Sequence, residues 1–154
     1  MVKILFVCYG NICRSTMAEF MMKKLVREKG LEQKIFIASA ATSKYEEGMS
    51  VHRGTRQILD REGITDYHDK RSTPLKKTDY EKYDYIIGMD EENKVNINRI
   101  FGGDPDKKVG LLLDYTEKKG EVADPYWTGD FEATYRDVKE GTEGLLEFLI
   151  SQKI

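Results

Sequence analysis

Apolar and polar positions fall into blocks along this chain, and the blocks change period. Val2 to Val7 is apolar except for Lys3, the pattern of a strand buried on both faces. Ser15 to Lys29 spaces its apolar residues along one helical face and is stopped by Gly30. Lys34 to Ala40 predicts a second strand, followed by a loop through Glu47-Gly48-Met49-Ser50. Val51 to Glu62 predicts a helix ended by Gly63, and Asp66 to Pro74 is polar and irregular. Lys76 to Glu81 predicts a short helical turn, and Tyr83 to Met89 a third strand. Asp90 or Glu91 to Phe101 predicts a helix terminated by Gly102-Gly103-Asp104-Pro105, and Lys108 to Leu113 a fourth strand. Tyr115 to Gly129 reads as a long loop before a closing helix, Asp130 to Gln152, in which Gly141 and Gly144 weaken the helical pattern.

Strand and helix alternate with no repeat, low-complexity tract or linker, so one α/β domain spanning residues 1–154 is expected. Its four strands should form a parallel sheet with helices on both faces. Such sheets place ligands beyond the carboxyl ends of their strands. Composition is that of a globular protein, 40% hydrophobic and 34% charged, and the net charge of -2 offers no field for nucleic acid or membrane. No apolar stretch is long enough to span a bilayer, and the first residues read as a strand, not a signal peptide. Two cysteines make no disulfide framework and no zinc spacing, so a reducing cytoplasm is the expected location.

The chemistry gathers where the first strand meets the first helix. There Cys8-Tyr9-Gly10-Asn11-Ile12-Cys13-Arg14-Ser15 sets a cysteine and an arginine with five residues between them. A short loop there turns backbone N–H groups toward a common centre, and the helix N-terminus adds positive potential. The amides from Tyr9 through Cys13, with Ser15 and the planar fork of Arg14, can hold a phosphate or a similar oxyanion above Cys8. Gly10 and Asn11 suit the unusual backbone of such a loop, and Ser15 can donate to the Cys8 sulfur. These surroundings favour a nucleophilic thiolate. The duller alternative, a packed cysteine ending a strand, gives Arg14 and Ser15 no role. A nucleotide P-loop needs Gly-Lys-Ser/Thr, which is absent, and a thioredoxin motif needs Cys-x-x-Cys, whereas Cys13 lies five positions after Cys8. Two cysteines in one tight loop also suggest a disulfide formed under peroxide that shelters Cys8. The alternative is a merely packed Cys13.

Val7 to Ser15, continuing into Met17-Ala18-Glu19, resembles the low-molecular-weight protein tyrosine phosphatases. The resemblance extends to Ser39-Ala40-Ala41-Thr42-Ser43, His68-Asp69-Lys70-Arg71 and Asp124-Pro125-Tyr126, and so covers essentially the whole chain. Thr16 stands where many members have proline. The resemblance implies hydrolysis of phosphotyrosine through a cysteinyl-phosphate, with Cys8 as nucleophile, Arg14 as phosphate clamp and no metal or cofactor. It assigns the general acid to Asp124; by sequence alone an Asp-Pro pair is commonly a turn, as Asp104-Pro105 is read. It places Tyr45 and Ile12 on the substrate cleft. It also implies that Asn11, Ser15, Ser39 and His68 buttress the loop. Tyr126 and Trp127, next to Asp124, can pack beside an aryl ring. Related arginine phosphatases carry Thr at the position of Ile12, so Ile12 favours the aryl substrate. Arsenate reduction on this scaffold needs further cysteines, and a module that only binds phosphotyrosine has no use for Cys8 with Asp124. The expected partner is a phosphotyrosine-containing protein, and the chain is expected to be a monomer or to self-associate weakly.

Overall fold

The computed structural model describes residues 1–154. Val2–Cys8 forms β1, Ile35–Ala41 β2, Tyr85–Gly88 β3 and Val109–Leu111 β4. The strands pair in parallel in the order β2-β1-β3-β4. β1 therefore has a neighbour on each side and a core on each face. Ile4, Phe6 and Cys8 point into one core, Leu5 and Val7 into the other, as the period of two requires. Helices α1 (Arg14–Glu28), α2 (Arg53–Arg61) and α6 (Phe131–Ser151) pack together over the first face. α4 (Glu91–Phe101) lies against β3 and β4, where Ile97 and Phe101 join Tyr80 of the short α3 (Asp79–Lys82). No helix is long and apolar enough to cross a membrane.

Successive strands lie on opposite sides of β1: β2 on one side, β3 on the other. The loops after β1 and β3 consequently diverge at a topological switch point, where open sheets of this kind leave a crevice.

Several expected elements are shorter or differently built. The fourth strand ends at Leu111, because Leu112–Tyr115 winds into a 3-10 turn and Asp114 Oδ2 accepts from the Leu111 amide at 2.9 Å. The second helix starts at Arg53, not Val51, because His52 caps it by accepting from the Gly54 amide at 2.9 Å. The long loop contains a one-turn helix, α5 (Pro125–Thr128), with Asp124 as its N-cap and Pro125 in its first turn.

Helix α6 runs unbroken through Gly141 and Gly144. These glycines are places of close approach. A Cβ at Gly144 would lie 2.1 Å from the Tyr115 carbonyl oxygen, and one at Gly141 would lie 2.4 Å from Leu112 Cγ. The 3-10 turn thus rests directly on the helix. Alanine at residue 144 gains about 1 kcal/mol of helix propensity but must push a backbone carbonyl aside, which costs about 1–3 kcal/mol or more. Gly144→Ala is expected to lower the melting temperature by roughly 3–6 °C. A melting temperature equal to or above that of the parent would refute this packing.

Candidate active site

The phosphate-binding loop joins the end of β1 to the start of α1, and five of its carbonyls are held by donors outside it. The Cys8, Tyr9 and Ile12 carbonyls accept from the amides of Thr42, Ser43 and His52 at 3.0, 3.0 and 2.8 Å. The Gly10 carbonyl accepts from Ser72 Oγ at 2.7 Å, and the Cys13 carbonyl from the Met17 amide at 3.0 Å. The amides of Gly10, Ile12 and Cys13 donate to no group of the protein. With the acceptors turned out, the partial charges left inside the loop are the positive ends of N–H dipoles.

Beneath this nest, Cys8 Sγ lies 3.0 Å from Ser15 Oγ and accepts from the Asn11 amide at 3.3 Å. Asn11 takes a left-handed backbone, φ 56°. Its side-chain Nδ2 donates to Ser15 Oγ at 2.7 Å and to Ser39 Oγ at 2.9 Å, while Oδ1 accepts from the Thr73 amide at 3.2 Å. Thr16, at the position where proline was the alternative, is buried and donates to the Cys13 carbonyl at 2.9 Å.

Arg14 is buried and links three segments. Its Nη1 donates to Asp90 Oδ2 at 2.7 Å and to the Val122 carbonyl at 3.4 Å, and its Nη2 to Asp124 Oδ2 at 3.3 Å. Burial alone would push the guanidinium down, but Cys8, Asp90 and Asp124 outweigh it and hold it up. Asp90 arrives from the end of β3 as the N-cap of α4. Asp124 holds its other oxygen, Oδ1, on the Tyr126 amide at 3.0 Å. Cys8, Arg14 and Asp124 therefore meet at one place. Asp90 was not singled out from sequence; its signal was only that of a helix cap.

The walls are less enclosed. Ile12 is half-buried, and Tyr45, Tyr126 and Trp127 are 87%, 79% and 80% exposed. Tyr126 and Trp127 meet edge to face at 4.8 Å, while Tyr45 stacks on no ring. Glu46, next to Tyr45, packs its carboxyl against Gly10, where a Cβ would come within 3.1 Å of Glu46 Cδ. Sequence reading missed this second acidic neighbour of the loop.

The expected role of His68 is not seen. The residue is exposed, its ring lies against Tyr67 at 4.3 Å, and it makes no side-chain hydrogen bond to Asn11 or Ser39. Ser39 instead donates to Glu19 Oε1 at 2.5 Å, and its carbonyl accepts from Lys70 Nζ at 2.7 Å. The lysine two positions on has the reach to enter that pocket, and the histidine is left outside it.

This geometry belongs to a chain with close relatives. The family model for low molecular weight phosphotyrosine protein phosphatase matches residues 3–153. The low molecular weight protein-tyrosine-phosphatase YfkJ of Bacillus subtilis is 40% identical over 99% of each chain. Its crystal structure superposes with a TM-score of 0.96 over 100% of this chain and 98% of that one. SP-PTP, a low molecular weight protein tyrosine phosphatase from Streptococcus pyogenes, is 41% identical with a TM-score of 0.86, over 97% of this chain and 93% of that one. A Drosophila arginine phosphatase, DARP, has a TM-score of 0.87 at 28% identity, over 96% of this chain and 98% of that one.

The two cysteines have different surroundings. Burial first, and then the neighbouring Cys8, push the Cys13 thiol up to about 12. At neutral pH iodoacetamide is expected to alkylate Cys8 and spare Cys13, read by peptide mass spectrometry. Equal labelling of both would contradict this asymmetry.

Proposed function

The chain belongs to the low-molecular-weight phosphotyrosine protein phosphatases, and from that premise we propose how its residues divide the work of hydrolysing a phosphotyrosine ester. The Cys8 thiolate attacks phosphorus in line with the leaving phenol. The loop amides and Arg14 hold the non-bridging oxygens, which carry the charge of a loose transition state. Asp124 protonates the tyrosyl oxygen as the bond to phosphorus breaks. In the second step Asp124 takes a proton from water, which attacks the cysteinyl-phosphate and releases inorganic phosphate. The observation that carries the reading is the loop around Cys8 in which the carbonyls of Cys8, Tyr9, Gly10, Ile12 and Cys13 are held by donors outside it, while the amides of Gly10, Ile12 and Cys13 donate to no group of the protein and are free for a dianion.

The ion pair between Arg14 and Asp124 suits this sequence of events. Asp90 grips Arg14 at 2.7 Å, whereas Asp124 sits at 3.3 Å on the other branch of the fork. An arriving dianion would compete for that branch and release the Asp124 oxygen from the guanidinium.

The substrates are phosphoproteins. Ile12, Tyr45, Tyr126 and Trp127 would line the cleft for the tyrosyl ring, and the apolar Ile12 supports the phosphotyrosine ester over the phosphoarginine phosphoramidate. A single phosphatase domain spanning residues 1–154, working as a monomer or weak self-associate in a reducing cytoplasm, fits a reaction that depends on a thiolate. Under peroxide, Cys8 sulfenic acid would condense with the Cys13 thiol, releasing water and forming a disulfide.

Phosphate release is measured from phosphotyrosine and phosphoarginine peptides side by side, with reductant and without metal. The parent protein should hydrolyse phosphotyrosine, and Cys8→Ser should abolish turnover. Asp124→Asn should lower kcat by about 10²–10⁴-fold, with a larger loss on phenyl phosphate than on p-nitrophenyl phosphate, whose leaving group needs no proton. Equal losses on the two esters would remove Asp124 as the acid. Preference for phosphoarginine would reassign the substrate.

A further inference from the structure

A buried polar chain runs from the nucleophile to a charge cluster that the reaction scheme does not use. It passes from Cys8 Sγ through Ser15 Oγ, Asn11 Nδ2 and Ser39 Oγ, in steps of 3.0, 2.7 and 2.9 Å. Ser39 Oγ then donates to Glu19 Oε1 on α1 at 2.5 Å. The other Glu19 oxygen accepts from Lys23 Nζ at 2.6 Å. Lys70, from the segment after α2, closes the cluster. Its Nζ donates to the Ser39 carbonyl at 2.7 Å and lies 3.6 Å from Glu19 Oε1. The Glu19 side chain is 5% exposed and that of Lys70 is 14% exposed.

Lysines are seldom drawn in this far unless they are paired, because the ammonium is strongly hydrated. Burial pushes the Lys70 ammonium down from its ordinary value, Glu19 and Cys8 oppose that, and Lys23 adds to it. The charges around the loop indicate what the burial achieves. On the substrate side the Arg14 guanidinium faces Asp90 and Asp124, so full charges there sum to a negative value. The N-terminus of α1 supplies only partial positive charge against this. On the other side, Lys70 and Lys23 face Glu19 and leave one positive charge over.

We propose that Lys70 is a positioning residue for phosphoryl transfer: held by Glu19 and the Ser39 carbonyl, it fixes the Ser39–Asn11–Ser15 chain and supplies the positive potential behind the loop that keeps Cys8 a thiolate. The proposal rests on the assignment of Cys8 as the nucleophile. It also gives a reason why His68 is free to stay at the surface, since the support it was expected to provide comes from Lys70 and Glu19.

The test follows the rate of Cys8 alkylation by iodoacetamide against pH, which needs no turnover, in the parent, Lys70→Met, Lys70→Arg and Glu19→Gln. A neighbouring opposite charge within about 4–6 Å favours ionisation by about 1–3 pH units, and Lys70 is joined to Cys8 only through Ser39, Asn11 and Ser15. Lys70→Met should therefore move the alkylation midpoint up by roughly half to one pH unit, and Lys70→Arg should restore it. Glu19→Gln leaves the two ammonium groups unopposed and should move the midpoint down. Opposite shifts mark an electrostatic effect, because a loosened loop would move both variants the same way. An unchanged midpoint in Lys70→Met overturns the proposal, as does an unchanged or raised midpoint in Glu19→Gln. The Glu19 variant decides alone if Lys70→Met does not fold. Phosphotyrosine hydrolysis is measured in parallel. An inactive parent whose midpoint still responds to Lys70 overturns the reaction and spares Lys70, whereas an active parent with no response does the reverse.

Discussion

Asn11 turns the chain through a left-handed backbone at φ 56°, and the phosphate-binding loop closes around that turn. A side chain in this region costs about 1 kcal/mol or more, though asparagine tolerates it better than most residues. Its side chain makes three hydrogen bonds, to Ser15, Ser39 and Thr73. At about 0.5–1.5 kcal/mol each, they outweigh the strain. Glycine would relieve the strain and lose all three. The same bonds tie the loop to α1, to β2 and to the segment before Pro74, so the loop cannot relax without disturbing each of them.

That coupling explains why fold and site are hard to separate here. An anion nest needs its carbonyls turned away from the ligand, and each turned-out carbonyl needs a donor elsewhere. The donors are amides of the loop after β2, the amide of the residue that caps α2, and the hydroxyl of Ser72. Residues with no chemical part in the reaction thereby fix where the amides point. Arg14 does the same with side-chain charge, drawing the segments after β3 and before α5 to the end of β1.

The order of the strands and the longer helices was legible in the sequence, because the apolar blocks change period and several boundaries carry a glycine, a proline or a cap. The Cys8 to Ser15 loop was legible because its residues are adjacent. Asp90, Glu19 and Lys70 were not, because each has an ordinary local role that hides the distant one: a helix cap, an acidic residue within a helix, a lysine in a polar loop. His68 was expected to support the loop from its residue type and its place in a motif. Which of two nearby side chains reaches a pocket depends on length and backbone direction, and the pattern carries neither. Gly141 and Gly144 looked like flaws in a helix because their use, accommodating Leu112 and Tyr115, depends on a tertiary contact.

The two Asp-Pro pairs show how one dipeptide separates into structure and chemistry. Asp104 accepts from Tyr80 Oη at 2.7 Å and from the amides of Lys108 and Val109 at 2.8 and 3.0 Å. Burial would push the Asp104 carboxyl up, but these fixed donors outweigh it and hold it below its ordinary value. Asp124 is held differently. One oxygen caps α5 and fixes the carboxyl in position. The other meets only Arg14, at the longer of that residue's two carboxylate contacts. Its position is secure, and the partner of its free oxygen is the group that a phosphate dianion would claim. The proton donor and acceptor proposed at Asp124 would need that combination, and it arises because Asp90 already satisfies the other half of the guanidinium.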